Sequence, residues 1–197
     1  MAQMQLMKMQ AARIDDVLAR LDLPAPTSAL LAGCEDAAAA FVALEAKGLL
    51  ADASKWAAHA LPKREAVWWA CMCTRHTAPA DQPAAERGLV QAAEQWVRKP
   101  TDENRRAAFA LAQEAGFTTP EAWAAVAAFW SGESMSPLGQ PVVPPPPDAA
   151  GRAVAGAVAL AAVRIHPERH ADRLTKFLQS ARDIAGGGPG HIGPEEP

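Results

Sequence analysis

The sequence predicts an all-α fold, an irregular bundle of about eight to nine short helices with a proline-rich strap before the last two. Three observations predict it. Alanine, the strongest intrinsic helix former, is the commonest residue. β-Branched residues are sparse, and no segment alternates apolar and polar residues long enough to argue for a strand. The middle helices are spaced like antiparallel pairs of a helical-repeat protein, but no fixed period accompanies them, so an irregular bundle competes with that arrangement.

The first helix is expected from Gln3 to Leu21, where Leu6, Ile14, Val17, Leu18 and Leu21 form an apolar stripe. Pro24 and Pro26 stop it. A second spans Cys34 to Ala46, with Gly48 where a left-handed C-terminal residue belongs, and a third spans Leu49 to Ala60 around Trp56. The next starts at Pro62 and runs through Lys63, Arg64 and Glu65 into AVWWACMC. Those eight residues leave no polar stripe, so this helix should be surrounded by others at the centre of the fold. Ala84 to Arg98 follows, burying Leu89, Val90, Trp96 and Val97. Thr101 then opens a helix with Asp102 and Glu103 in its first turn, where the helix dipole favours negative charge, and Gly116 closes it. Thr119 with Pro120 opens another, carrying Trp123, Val126, Phe129 and Trp130 and ending at Ser131 and Gly132. Residues 134–148 hold prolines at 137, 141 and 144–147 and no helix. Ala149 to Ile165 and Pro167 to Ala185 read as the last two helices. Residues 1–185 are therefore expected to form one helical domain, and residues 186–197, rich in glycine and proline, a disordered tail.

The chain has 197 residues, 19 basic and 22 acidic, for a net charge of −3. Both signs are interspersed, so no basic face invites nucleic acid or an anionic membrane. Cys34, Cys71 and Cys73 are odd in number and unevenly spaced, which suits a reducing compartment better than a disulfide framework. The N-terminus lacks the continuous apolar run of a secretory signal, and Ala153 to Val163 is too short to cross a bilayer. A cytoplasmic location is expected.

Several constellations carry residue types capable of chemistry. Cys71, Cys73 and His76 are of zinc-ligand type, but on a helix positions 71 and 73 lie about 200° apart, which favours two small buried residues. His166, Glu168 and His170 in HPERH lack the metalloprotease order and carry a proline inside the motif, which favours a solvated helix start. His59 has no neighbouring nucleophile, and Gly186, Gly187, Gly188 and Gly190 lack the lysine and the helix of a phosphate loop. Asp15 with Asp16, and Glu35 with Asp36, are adjacent and point to different sides of a helix, so neither pair converges on a substrate. Arg105 can pair with Asp102 on the helix surface. These readings predict no catalytic residue, no cofactor and no metal site.

Two features suit protein binding instead. Met4, Leu6 and Met7 give the N-terminal helix an adaptable apolar surface, although a methionine stripe is also an ordinary core face. Pro144, Pro145, Pro146 and Pro147 form a stiff segment that either docks into a partner's aromatic groove or straps across this domain's own tryptophan-rich surface; the apolar residues between Pro137 and Val143 want cover and favour the internal strap.

The strings LPKREAVWWACMC, AEQWVRKPTDENRRAAF, GFTTPEAWAAVAAFWSGESMSP, PVVPPPP and AVAGAVALAAVR, from Leu61 to Arg164 and more weakly to Ala185, resemble a family of small uncharacterised bacterial all-helical proteins. Members of that family are often encoded beside type VI secretion components. The resemblance carries no catalytic residue. It implies a non-enzymatic adaptor that binds another protein, a secretion component or an effector, during assembly or loading. Two alternatives from other classes are an immunity or regulatory protein that binds a toxin, and a small enzyme or metal-binding protein using His59, His76, His166 or the buried cysteines.

Overall fold

Proline and glycine set the ends of most helices. The computed structural model describes residues 5–196 and is all helical, with eleven α-helices and no strand among those residues. They are α1 (Met7–Gln10), α2 (Ile14–Leu18), α3 (Ala25–Ala32), α4 (Ala37–Ala46), α5 (Leu50–Ala60), α6 (Lys63–His76), α7 (Ala84–Arg98), α8 (Asp102–Glu114), α9 (Pro120–Trp130), α10 (Ala149–Val163) and α11 (His170–Ala185), with a 3-10 turn at Pro167–Arg169. Thr101 and Thr119 cap α8 and α9 as their hydroxyls accept from the amides of Asn104 and Ala122, each at 3.2 Å. At the end of α4, Gly48 takes φ +69°, the Leu49 amide donates to the Leu44 carbonyl and the Gly48 amide to that of Glu45, a Schellman closure. No single helix among the described residues is long and apolar enough to cross a membrane.

Two N-terminal expectations are corrected. The helix expected from Gln3 to Leu21 is broken at residues 11–13, where Arg13 is extended. Its halves pack in different places, α1 against α4 and α11, α2 against α3, α4 and α5, and this tertiary demand overrides the continuous local propensity. Pro24 and Pro26 also start a helix rather than merely ending one. Pro24 precedes α3 and Pro26 lies in its first turn, where an amide would have no helical partner.

The helix without a polar stripe is enclosed as expected. α6 packs against α5, α7, α9, α10 and α11, and from Ala66 to Thr74 only Trp68 is not fully buried. Indole N–H groups tie the layers by donating to backbone carbonyls, Trp69 to Phe177 at 2.8 Å and Trp56 to Ala37 at 2.8 Å. Behind α6, α9 and α10 face each other with short side chains, among them Ala124, Ala128, Ala153, Ala157 and Ala161. Methyl-sized groups let these helices approach closely, which is how an alanine-rich chain still fills its interior.

The tail expected to be disordered is instead bound to the body, and it covers the side of α6 that no helix reaches. α11 ends in a second Schellman closure at Gly187 and Gly188. The Trp68 indole then donates to the Pro189 carbonyl at 2.7 Å, Ser180 Oγ to that of Gly190 at 2.5 Å, and the Gly190 amide to Asp183 Oδ2 at 2.7 Å. Farther on, the Glu195 amide donates to the His76 carbonyl at 2.8 Å and His76 Nδ1 to the Gly193 carbonyl at 2.5 Å. Arg173, only 2% exposed, donates to the carbonyls of Ala162, Arg164 and His166 at the end of α10 and forms a bidentate pair with Glu195, the nearest approach being 2.5 Å. Arg173 in turn holds the Glu195 carboxyl below the usual carboxylate range. Low intrinsic propensity is overcome here by partners distant in sequence.

Replacing Glu195 by Ala leaves a buried guanidinium without its counter-charge and should lower stability by about 2–4 kcal/mol. Removing residues 187–197 should do at least as much and shift Trp68 emission to the red. Denaturant titration followed by fluorescence checks both; unchanged midpoints would mean that the tail adds nothing to the fold.

Candidate functional site

The α9–α10 connection is a long segment without helix or strand, and it is pinned. Ser134 Oγ accepts from the amides of Ser136 and Val143, each at 3.1 Å, and the Met135 amide donates to the Val143 carbonyl at 2.7 Å, closing the base of a loop. At its tip the Gln140 amide donates to the Pro137 carbonyl at 3.2 Å, with Gly139 at φ +80°, the value a type II turn requires at its third residue. Arg106 Nη2 ties the loop to α8 by donating to the Ser136 carbonyl at 2.7 Å, while its Nε binds Asp102 at 2.6 Å. Arg106, and then Arg105, hold the Asp102 carboxyl below its usual range.

This frame holds apolar side chains in water. Leu138 is 77% exposed and Val142 72%, so the apolar residues expected to be covered by the domain are not. Pro144, Pro146 and Pro147 are exposed and Pro145 is half-buried. The internal strap is therefore corrected: a loop closed on its own base has no chain left to lay the tip over the body. At the N-terminus the apolar candidates separate. Leu6 and Met9 are buried in the core, Met7 is 58% exposed, and Met4 lies outside the described residues.

Sequence reasoning missed what fixes the loop, Ser134 and Arg106, because both act across a long stretch of chain. It placed Arg105 with Asp102 correctly but on the surface. Arg105 is in fact buried, also donating to the Phe129 carbonyl at 3.3 Å, with its guanidinium carbon 5.0 Å from the centre of the Phe129 ring. A side chain at Gly132 would collide with that guanidinium, so glycine is needed there.

Residues 40–185 match the model of a Family of unknown function (DUF6931), well over half of the 197 residues. The chain belongs to this family. No curated protein and no solved structure matches it. The DUF6931 region contains the whole loop, its anchor Arg106 and the enclosed helix α6, whereas Met4, Leu6 and Met7 precede it.

Within the DUF6931 region the histidines and cysteines weighed for catalysis sit apart. His59 and His76 line different concavities, and His166 is exposed beside Glu168 at 3.1 Å. His76 packs edge-on against Phe177. Cys71 and Cys73 are fully buried on α6, where burial pushes both thiols well above their ordinary range, away from nucleophilic chemistry at neutral pH. Among the described residues no group of three or more His, Cys, Asp or Glu is placed to hold a metal ion.

Burial, with smaller contributions from Arg20 and Arg152 against Asp148, pushes the His59 imidazole down to about 4 from 6.5. Between those values the unfolded chain takes up a proton that the folded chain refuses, so stability should fall as pH drops from about 6.5 to about 4. The total loss should be about 3 kcal/mol. Denaturation of the wild type and of His59→Gln across this range isolates the effect, since other groups titrate alike in both; equal pH slopes would contradict a buried neutral imidazole.

Proposed function

We propose that this protein is a non-enzymatic adaptor that binds another protein through the loop of residues 134–148. The observation that carries the reading is Leu138, 77% exposed at the tip of a loop whose base and side are hydrogen-bonded. Burying Leu138, Val142 and Val143 against a partner would contribute about 1.5–3 kcal/mol for each side chain. A loop already closed on itself loses little conformational freedom on binding, so more of that gain appears as affinity. The prolines that follow restrict the chain further and offer a stiff apolar edge.

For the partner class, the resemblance to proteins encoded beside type VI secretion genes supports a component or effector of that apparatus, with this chain assisting assembly or loading.

Purified secretion components and toxins encoded near this gene should be titrated with the wild type and with a Leu138→Asp, Val142→Asp double variant. The reading predicts saturable binding to a secretion component or effector, weakened at least about tenfold in the variant, with an unchanged melting temperature. Binding that ignores the double substitution would count against the loop. Neutralisation of a neighbouring toxin would select the immunity role in place of the adaptor role.

A further inference from the structure

The amino ends of two long helices meet at one concavity of about 240 Å³, and neither helix is capped by a side chain. α6 follows Pro62, whose ring has nothing to offer the amides of Lys63, Arg64 and Glu65; the first helical bond is made by the Ala66 amide to the Pro62 carbonyl. α10 follows Asp148, whose carboxylate binds Arg152 Nε at 2.5 Å rather than the helix amides. The amides of Ala150 and Gly151, both lining the concavity, have no hydrogen-bond partner among the described residues. Helix amino ends left open in this way carry partial positive charge and directed N–H donors.

The side chains around this opening add to that field. Lys8, Arg20 and Lys63 line it. Lys8 is paired with Glu65 at 3.1 Å, whereas Arg20 and Lys63 make no ion pair among the described residues. Independently of the helix ends, His59 faces the same concavity while only 7% exposed, and neither ring nitrogen has a protein partner among the described residues. Its Nδ1 side lies so close to α10 that a side chain at Gly151 would collide with the ring. The ring is not sealed inside the protein but opens onto this concavity, so the hydrogen-bond partner it lacks has to come from what occupies that space. Here the two open helix ends, two free cations and an unpartnered ring converge on one small space.

We infer that the concavity between the amino ends of α6 and α10 binds a small oxyanion, a phosphate either free or as a phosphomonoester. The amides of Ala150, Gly151 and Lys63 donate to its oxygens, Arg20 and Lys63 balance its charge, and the His59 ring supplies one further hydrogen bond. In the neutral ring the nitrogen that faces the opening either donates to a phosphate oxygen or accepts from a protonated one, according to tautomer. The volume suits a phosphate with a few additional atoms better than a nucleotide. The site shares only Pro147 with the docking loop, so it stands or falls separately from the adaptor reading.

Amide NMR of the full chain, titrated with sodium phosphate, with glycerol 3-phosphate and with sodium chloride at matched ionic strength, tests this directly. Saturable shifts at Lys63, Ala150 and Gly151 with either phosphate, absent with chloride, are expected. Tighter binding of the ester points to an organic phosphate and equal binding to the free ion. Arg20→Gln with Lys63→Gln, on partly or fully exposed side chains, should retain the melting temperature of phosphate-free wild type and weaken binding at least about tenfold. Shifts that do not saturate, that chloride reproduces, or that the double variant leaves unchanged would overturn the proposal.

Discussion

A helix with no polar side has to be covered all round, and α6 imposes that condition on the rest of this molecule. Between Ala66 and Thr74 it presents two indoles, two thiols and a thioether with nothing hydrophilic to turn toward water. Five helices pack on it, and the remaining strip, at Trp68, Met72 and His76, is closed by a chain of glycines and prolines. The indole N–H groups of Trp56, Trp68 and Trp69 each find a backbone carbonyl in a neighbouring element. Apolar burial drives the assembly, and the indole bonds fix which carbonyl lies against which ring.

Buried charge follows the same logic. Glu121, 1% exposed, accepts from Gln82 Nε2 at 2.7 Å and from Arg164 at 2.5 Å, while Glu94 is shared by Arg75 and Arg98. Arg173 is enclosed by three carbonyls and one carboxylate. These groups are tolerated inside because their charges are paired, although Arg164 Nη1 lacks a partner among the described residues, and they tie the helix ends and the tail to one another. Two buried atoms lack a partner among the described residues, His76 Nε2 and Arg164 Nη1; the His59 ring makes no protein hydrogen bond there either, but it opens onto the concavity beside α10.

The legible parts of the sequence were those decided by local chemistry. α7 begins and ends where periodicity and flanking prolines put it, at Ala84 and Arg98, and Gly48 and Gly116 take the left-handed conformation that a helix exit demands. The break at residues 11–13 could not be read, because it arises from packing against helices far along the chain. The order of the tail was equally hidden in its own composition, yet the missing polar stripe of AVWWACMC was a signal that something beyond the helices had to cover it. Proline content located the loop of residues 134–148, but not which way it faces; that depends on a serine hydroxyl spanning nine residues and an arginine on another helix. The opening beside His59 was invisible for a related reason. Its residues come from four stretches of chain, and some of its donors are backbone amides that no side-chain pattern announces.

The loop and the oxyanion pocket are both consequences of one rigid frame, since α9 and α10 hold the ends of the loop and α10 also opens the pocket. That frame rests on the enclosure of α6 from Ala66 to Thr74, where only Trp68 keeps partial exposure. Native-state hydrogen exchange resolved by residue measures this enclosure most directly. Amides from Val67 to Thr74 should exchange only through global unfolding, and those of Gly190 and Glu195 should be protected with them. Exchange in α6 as fast as in the four-residue α1, or tail amides exchanging at the rate of free peptide, would contradict the account.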